Sequence, residues 1–552
     1  MKKATMVLGL LCSAMALAVP RTIVAGEGGC RADDSNGTSW QFKWPTLIPD
    51  VQEVSYEPAV AVRFDATLEV DVSCADGFDG TCLARACFTN WFGCLPRVIA
   101  VAFSGEKFPN DEGYALDARP GRLSIRAMSA QGVCHALHTL RQIAQPVRGG
   151  MSVSGWEVPA FRLRDWPEVA WRGMHLCVFP ETTLKRLEHM IRLAAYYKFN
   201  YVVVEPWGTF RSERHPWYGW PESPLTKAEV RRLVGIAKAE GVTLIPQLNC
   251  FGHAASARMV VGKHATLDFG RERQTLFEPL GGWNWCLSNP AAREVLGELV
   301  EELYEAFGRP GYFHIGCDEA QPPSCAACCS GNYRGLVADH VRAMVKKVLA
   351  LGARPMMWHD MLLEKDDARW PKPIRAYGSK ETAMLVDVLP REVVICDWYY
   401  NEPLPKVGFP SLDYFQGKGF PVISCPRDDV EGIAWQAAAV REKRLWGILG
   451  TTWARYTSQA MVDIFTRTAM GAWSDKAAVA TDPKVRDPRV PYGIEFATHW
   501  RQVGWDMGLT SGDYAETGFS ANQTSPEHIA QREWFKIDVK ALKTQLEREG
   551  KE

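Results

Sequence analysis

The chain has 552 residues, more than one ordinary domain holds, so two or three domains are expected. Hydrophobic residues make up 47% of it and charged residues 23%, the balance of a soluble globular protein. The formal net charge of −1 excludes an overall field that would attract nucleic acid or an acidic membrane, so no nucleic-acid partner is expected.

The first 25 residues have the pattern of a secretory signal peptide. Lys2 and Lys3 precede an apolar run over residues 6–17, and residues 16–18 (Ala-Leu-Ala) offer a small-residue cleavage site. The run is short for a bilayer span, which disfavours the alternative of an uncleaved anchor. We therefore expect an exported chain, periplasmic or secreted, with no membrane insertion after cleavage.

Residues 26–160 predict a small α+β domain. The alternating segments 59–72 and 122–127 are typical of strands, and residues 129–145 carry apolar side chains at helical spacing. Cysteines also cluster here, and an exported chain permits disulfides. The sequence suggests a disulfide framework, of undefined pairing, among Cys30, Cys74, Cys82, Cys87 and Cys94.

Eight strand-like runs then alternate with helical patterns. They cover residues 171–178, 199–205, 242–249, 312–316, 353–358, 392–399, 420–424 and 446–453. This alternation predicts an α/β fold, a (β/α)8 TIM barrel over residues 165–475. An open doubly wound sheet is the alternative, disfavoured because no glycine-rich loop follows the first run. Residues 476–552 are expected to form a helical extension, as a closing helix or a dimer contact; the oligomeric state is not defined.

Acids, amides and aromatic residues recur where the predicted strands end. In a barrel these ends meet in one concave mouth, where catalysis takes place. Carboxylates among tryptophan walls are what carbohydrate hydrolysis needs. The candidates are Glu205, Asn249, His253, Asp318, Glu319, Trp358, Asp360, Asp397, Trp398, Tyr399 and Trp453.

The adjacent carboxylates Asp318 and Glu319 end the fourth run, within Tyr-Phe-His-Ile-Gly-Cys-Asp-Glu at residues 312–319. A neighbouring carboxylate raises the pKa of a general acid. A retaining glycosidase usually places its second acid on the opposite face of the sugar, about 5 Å away. Adjacent residues are poorly placed for that geometry. They suit substrate assistance, in which the 2-acetamido oxygen is the nucleophile, Asp318 orients the amide and Glu319 is the acid.

A second group of cysteines follows the acid pair, at Cys325, Cys328 and Cys329. A Cys-x-x-Cys spacing is half of a structural zinc site. No second Cys-x-x-Cys or His-x-x-x-His completes it in the sequence, so a disulfide or free thiols are favoured and no metal is predicted.

Residues 314–319, His-Ile-Gly-Cys-Asp-Glu, resemble the His-x-Gly-x-Asp-Glu motif of glycoside hydrolase family 20, the β-N-acetylhexosaminidases. The resemblance continues in order from about residue 100 to residue 460. It implies that Arg172 on the first barrel strand binds sugar hydroxyls and that His253 lies at the active site. It also implies that Trp358, Trp398 and Trp453 wall the pocket for the acetamido group.

Several residues depart from the family pattern. Arg455 stands where a hydroxyl-binding Glu is usual, which favours either an acidic substituent on the substrate or a structural ion pair. Glu205 lies near the position of the usual second-strand His, and Tyr399 is the candidate for the missing tyrosine that bonds the acetamido oxygen. The family's Glu, Asp and Pro before its Gly-His are replaced by Gln247, Asn249 and Phe251. Glu205, Asn249, Tyr399 and Arg455 are thus predicted substrate-binding residues.

These observations predict an exported glycoside hydrolase that removes terminal β-linked GlcNAc or GalNAc from glycans by substrate-assisted, retaining catalysis. No cofactor is required. The alternatives are a glycosidase of the same fold with another sugar preference, and a catalytically decayed carbohydrate-binding protein.

Overall fold

The computed structural model describes residues 41–149, 152–178, 182–206, 208–219, 225–254, 271–278, 282–370, 374–400, 408–427, 430–453 and 459–474. The predicted signal peptide, the C-terminal extension, Cys30 and Arg455 lie outside these residues. Among the described helices, none combines the length and the apolar character needed to cross a bilayer.

The N-terminal domain is a mixed sheet with a helix on one face. Its strands run in the order β1-β7-β4-β5-β2-β3, and β6 pairs with β7. The strands are β1 (Glu53–Phe64), β2 (Glu69–Cys74), β3 (Arg97–Ala100), β4 (Tyr114–Arg119), β5 (Arg122–Ala127), β6 (Gln145–Gly149) and β7 (Ser152–Asp165). The helices are α1 (Thr81–Cys87), continued by a π-helical turn at Phe88–Phe92, and α2 (Ala130–Ile143).

The second unit is a parallel eight-stranded sheet in the order β10-β9-β8-β15-β14-β13-β12-β11. A parallel bridge between Gln247 and His314 links its two ends, so the sheet closes as the predicted barrel and the open alternative is wrong. The strands are β8 (Trp171–Val178), β9 (Tyr201–Pro206), β10 (Thr243–Pro246), β11 (Tyr312–His314), β12 (Arg354–Trp358), β13 (Val394–Trp398), β14 (Val422–Cys425) and β15 (Gly447–Thr452).

Helices surround the barrel and follow its strands. Asparagine or threonine side chains cap several of them, as at Asn332, whose Oδ1 accepts the Gly335 N–H at 3.0 Å. The helices are α3 (Leu184–Tyr196), α4 (Lys227–Ala239), α5 (Arg271–Gln274), α6 (Pro290–Ala306), α7 (Ala326–Ser330), α8 (Tyr333–Ala350), α9 (Lys380–Ala383), α10 (Leu385–Val388), α11 (Pro410–Gly417), α12 (Val430–Lys443) and α13 (Gln459–Trp473), with a 3-10 turn at Asp360–Leu362.

Buried polar contacts join the two units. Lys198 Nζ, from the barrel, lies 2.8 Å from Asp165 Oδ2 at the end of β7. Trp473, the last residue of α13, is fully buried in the core of the N-terminal domain, and its Nε1 donates to Asp165 Oδ1 at 2.7 Å. The N-terminal domain therefore packs against the side of the barrel away from the strand ends that carry the acid pair.

The predicted disulfide framework is not formed by its described members. Cys74, Cys82, Cys87 and Cys94 carry free thiols. Cys74 Sγ donates to Asp76 Oδ1 at 2.9 Å, while Cys87 is buried in the domain core. Core packing and a local hydrogen bond, rather than cross-links, hold Cys74 and Cys87.

Candidate active site

The acid pair follows a very short strand and a left-handed turn. After β11 the backbone φ is 64° at Gly316, 73° at Cys317 and 46° at Glu319. His314 Nδ1 accepts the Gly316 N–H at 3.0 Å, and burial lowers the pKa of His314 to about 3, so the ring stays neutral and keeps its acceptor. Consecutive side chains diverge in an extended strand, and this turn brings Asp318 and Glu319 to one side instead.

His253 contacts both carboxylates. Its Nε2 lies 3.4 Å from Asp318 Oδ2 and 3.2 Å from Glu319 Oε2. The ring of Trp283 packs against His253 with centroids 4.5 Å apart, and Trp283 Nε1 donates to the Glu319 backbone oxygen at 2.8 Å. Asp318 is 3% exposed, whereas the Glu319 side chain is 34% exposed. One acid is therefore held inside the protein while the other is open to a ligand.

A third carboxylate, in the barrel interior, bonds the backbone of Glu319. Asp360 is fully buried; its Oδ2 accepts the Glu319 N–H at 2.8 Å and its Oδ1 accepts the indole N–H of Trp398 at 3.3 Å. Burial, together with the negative charges of Asp318 and Glu319, raises the pKa of Asp360 well above its ordinary range. Asp360 thus joins the exposed acid to an aromatic residue of the cavity.

The acid pair opens into a cavity of about 260 Å³ at the carboxyl ends of the strands. Aromatic rings give it apolar walls on which a sugar face can stack, and two guanidinium groups add positive charge to its lining. The lining residues are Asp318, Glu319, Arg375, Tyr377, Trp398, Tyr400, Arg427 and Trp453.

Family models match two parts of the chain. The catalytic domain of glycosyl hydrolase family 20 matches residues 220–475, and domain 2 of the same family matches residues 44–166. Together the matches span more than half of the chain. The chain belongs to glycosyl hydrolase family 20. The catalytic match begins after β8 and β9.

Relatives in this family are distant in sequence. The β-N-acetylhexosaminidase of Cellulomonas fimi is 29% identical over 243 residues, covering 41% of this chain and 48% of that protein. A β-hexosaminidase of Vibrio furnissii is 25% identical over 297 residues, covering 45% of this chain and 46% of its own length. The matched regions span about half the length of these curated relatives.

The fold is shared with solved family 20 structures. An exo β-N-acetylglucosaminidase from Vibrio harveyi, solved with N-acetylglucosamine, superposes with a TM-score of 0.59 at 18% identity and covers 84% of this chain and 78% of that chain. The Streptomyces coelicolor A3(2) β-N-acetylhexosaminidase also superposes with a TM-score of 0.59, at 16% identity.

Five of the predicted residues lie together, consistent with the family 20 motif. Asp318, Glu319 and His253 contact one another, and Trp398 and Trp453 line the cavity beside them. Their joint position follows from one rule, since each stands at or just past the carboxyl end of a strand.

Tyr399 is not in the cavity, which corrects its prediction as a substrate-binding residue. Side chains alternate between the two sides of a strand, so Trp398 and Tyr400 share the barrel interior while Tyr399 points outward. Tyr399 is buried against Phe409, with ring centroids 5.4 Å apart, in the layer between the barrel and its helices. Tyr400 takes the lining position, and its hydroxyl accepts the Trp453 indole N–H at 2.8 Å.

Arg172 also lies away from the cavity, contrary to the prediction. It is the second residue of β8 and so stands at the amino end of the barrel, opposite the acid pair. The side chain is 1% exposed and pairs with Glu112 of the N-terminal domain. Its remaining donors bond the backbone oxygens of Val169, Ala170 and Lys198. Its role in the structure is to join the two domains.

Trp358, Glu205 and Asn249 lie in the barrel interior and are not among the lining residues. Trp358 is fully buried and packs on Trp453, with ring centroids 5.3 Å apart. Glu205 accepts a hydrogen bond from Asn249 Nδ2 at 2.7 Å and lies 2.8 Å from His175 Nε2. These side chains support the aromatic wall from behind and tie the ends of β8, β9 and the segment after β10 together.

Four lining residues were missed at the sequence level, and Asp360 was named as a strand-end candidate without being assigned a role. Period-2 alternation after Trp398 would have selected Tyr400. The other three lie on loops beyond β12 and β14, where no periodicity marks them: Arg375, Tyr377 and Arg427.

Proposed function

We propose that this chain is a β-N-acetylhexosaminidase that removes terminal β-linked N-acetylhexosamine from glycans by substrate-assisted, retaining catalysis. The observation that carries the proposal is the contact of His253 Nε2 with both Asp318 and Glu319 at the edge of an aromatic cavity. The names of the family 20 relatives support the same activity. The small volume of the cavity favours a terminal sugar over an internal one.

The placement of the acids supports a nucleophile from the substrate. A retaining enzyme with a carboxylate nucleophile has its two acids on opposite faces of the sugar, about 5 Å apart. Here the two lining carboxylates are consecutive residues that share one histidine, and both approach the substrate from one side. The third carboxylate, Asp360, is fully buried behind them. The 2-acetamido oxygen of the substrate is then the group able to reach the opposite face.

Each acid has a distinct role in the proposed reaction. Glu319 donates its proton to the glycosidic oxygen while the acetamido oxygen attacks the anomeric carbon, so the C–O bond to the leaving group breaks and an oxazoline ring forms. The buried Asp318 carboxylate accepts the acetamide N–H and stabilises the positive charge of that ring. Glu319, now ionised, takes a proton from water, which opens the ring with net retention.

A second candidate is a hexosaminidase for sugars that carry an acidic group. Arg375 and Arg427 line the cavity, the latter with its guanidinium carbon 5.9 Å from the Tyr400 ring centroid. Guanidinium groups bind sulfate and carboxylate through paired N–H donors. This observation favours a sulfated or uronate-like substituent on the terminal sugar or on its neighbour.

The test is hydrolysis of aryl β-GlcNAc and β-GalNAc glycosides, with and without 6-O-sulfate, by wild type, Glu319→Gln and Asp318→Asn. Each variant should lose about 10²-fold or more in kcat. Glu305→Gln, an exposed carboxylate on α6, is the matched control and should retain full activity. Aryl β-glucosides, which have a 2-hydroxyl, should be nearly inert; their normal cleavage would refute substrate assistance.

Sulfate dependence separates the two candidate substrates. Preference for sulfated glycosides that disappears in Arg375→Gln supports the second candidate. Binding of glycans without turnover of any aryl glycoside would indicate a decayed carbohydrate-binding protein instead.

We also propose that the chain is exported. The basic residues Lys2 and Lys3 before an apolar run support a signal peptide. N-terminal sequencing of protein recovered from the periplasm or medium of an expressing bacterium should give a start near residue 19. Recovery of the intact N-terminus from the cytoplasm alone would contradict export.

A further inference from the structure

The loops that follow β10 and β11 bring three cysteines and a glutamate together beside the acid pair. Cys286 Sγ lies 3.7 Å from Cys325 Sγ and 4.0 Å from Cys328 Sγ. One ligand atom from each of Glu278, Cys286, Cys325 and Cys328 lies within 4.8 Å of all the others. Glu278, Cys286 and Cys328 are buried, and Cys325 is half-buried.

The sulfur separations match tetrahedral metal coordination. Two thiolates bound to one Zn²⁺ at about 2.3 Å stand about 3.8 Å apart in a tetrahedral site. A disulfide needs an S–S distance of about 2.05 Å, and a single disulfide would leave the third thiol of the group unused. The observed spacing therefore places three sulfurs around one central point rather than joining two of them.

The surrounding hydrogen bonds hold the four side chains in this arrangement. Glu278 Oε2 accepts the backbone N–H groups of Ser324 and Cys325, each at 2.7 Å, which fixes the carboxylate against the cysteine loop. Cys325 Sγ accepts the Cys328 N–H at 3.3 Å, a contact that fixes the position of this sulfur. An antiparallel bridge between Phe277 and Trp285 joins the two segments that carry Glu278 and Cys286. On either side of this bridge the Glu278 N–H donates to the Asn284 oxygen and the Cys286 N–H donates to the Leu276 oxygen, each at 2.9 Å.

We propose that Cys286, Cys325, Cys328 and Glu278 bind one structural Zn²⁺ ion. Three soft sulfur ligands select zinc over Ca²⁺ and Mg²⁺, and four protein ligands make a closed, non-catalytic site. The Cys-x-x-Cys half is visible in the sequence, but the third cysteine precedes it by 39 residues and is recognised only in the fold.

The position of this zinc site gives it a role in holding the active site. Asn284, two residues before Cys286, donates from Nδ2 to the Gln321 oxygen at 2.7 Å and accepts the Gln321 N–H at 3.0 Å. Trp283 bonds the Glu319 backbone at 2.8 Å. The metal therefore fixes the segment that carries Trp283 to the segment that carries the acid pair.

Metal analysis of the purified chain tests the proposal independently of catalysis. Mature protein prepared with thiols reduced and ZnCl₂ supplied, then dialysed, should contain about one zinc per chain by elemental mass spectrometry. Cys286→Ser and Cys325→Ser should lose most of this zinc. Cys329→Ser is the matched control, because Cys329 is exposed and outside the group of four; it should retain the ion.

A second measurement applies if a cysteine variant fails to fold. In wild-type protein exchanged with Co²⁺, thiolate coordination should give near-ultraviolet charge-transfer absorption and intense tetrahedral visible bands. A thiol reagent should release zinc only as the three thiols of the proposed site react, in addition to the thiols outside it. Wild-type protein without bound zinc, or with Cys286 and Cys325 joined in a non-reduced peptide map, would overturn the proposal.

Discussion

Tyr400 lines the cavity, and we predict that its hydroxyl binds the acetamido oxygen of the proposed substrate. Trp453 Nε1 donates to its hydroxyl at 2.8 Å and fixes it at the cavity wall. We predict that Tyr400→Phe lowers kcat about 10- to 100-fold, because a hydrogen bond to developing charge is removed. Tyr399→Phe removes the same atom from the next residue, which faces the outer layer, and should change kcat less than about twofold. Steady-state kinetics with aryl β-GlcNAc compare the two; equal losses would contradict the assignment of Tyr400.

Asp360 is predicted to be a positioning residue that acts through Glu319 and Trp398. Asp360→Asn should lower kcat about tenfold or more and change the pH profile of kcat/KM, because a buried group with a raised pKa is removed beside the acid pair. The matched control is Asp397→Asn. Asp397 is also buried, and burial raises its pKa to about 7, but it lies 3.4 Å from His359 and outside the cavity lining. An unchanged pH profile in Asp360→Asn would exclude the proposed role.

At the residue scale, the sequence predicts the side chains that follow one rule: functional residues of a barrel stand at or just past the carboxyl ends of its strands. Asp318, Glu319, His253, Trp398 and Trp453 are found in this way. The incorrect prediction for Arg172 came from the family resemblance and not from this rule, since a residue at the start of a strand lies at the opposite end of the barrel. The rule makes no prediction for Arg375 and Arg427, because their positions depend on long loops rather than on local periodicity.

The strand end that carries the acid pair depends on the conformation of Gly316. This residue has φ +64°, and a Cβ there would meet the side chain of Asn249 and lie 3.0 Å from its Cα. We predict that Gly316→Ala costs about 1–2 kcal/mol in backbone strain and shifts the acid pair enough to lower kcat about tenfold. Gly311→Ala, just before the same strand, is the control: its Cβ would have nothing within 4 Å. Thermal unfolding and kinetics of both variants give the comparison, and an active, stable Gly316→Ala would contradict it.

Element boundaries were less predictable than the elements themselves. Residues 59–72 were expected to form one strand, yet the chain breaks into β1 and β2. Asp65 Oδ1 accepts the Thr67 N–H at 2.8 Å and stabilises a turn between them. β10 and β11 are only four and three residues long, since the chain leaves the sheet early to form the site. Side-chain capping and functional turns override the apolar pattern at such places.

The stability of the whole molecule should fall as the pH falls below about 6.5. Burial lowers the pKa of six described histidines below the ordinary value of 6.5, so the unfolded chain binds more protons and folding loses stability as the pH approaches their folded values. Asp397 and Asp360 have the opposite effect on folding stability. Each has a raised pKa, which increases folding stability as the pH falls. The histidines outnumber these two acids. His138, His189 and His340 have pKa values of about 4, His314 and His359 have values of about 3, and burial also lowers the pKa of His135.

Thermal unfolding midpoints between pH 4 and pH 8 test this prediction. The midpoint should decrease steadily from pH 6.5 to pH 4. A midpoint that is constant or higher at pH 4 would show that the buried acids dominate instead.

At the scale of the whole molecule, the sequence predicted a barrel from eight alternating runs. The link between the domains was not predictable, because Lys198 and Asp165 pair across two units with separate patterns.

The burial of Trp473 in the N-terminal domain has a consequence for biosynthesis. The sheet of that domain is complete at Asp165, but the indole that bonds Asp165 lies 308 residues later in the chain. While the ribosome translates the barrel, the nascent small domain therefore has a gap in its hydrophobic core. Only when α13 has emerged does Trp473 fill that gap, so the two domains complete their folding in one late step. A premature stop before α13 would leave both domains open to proteolysis.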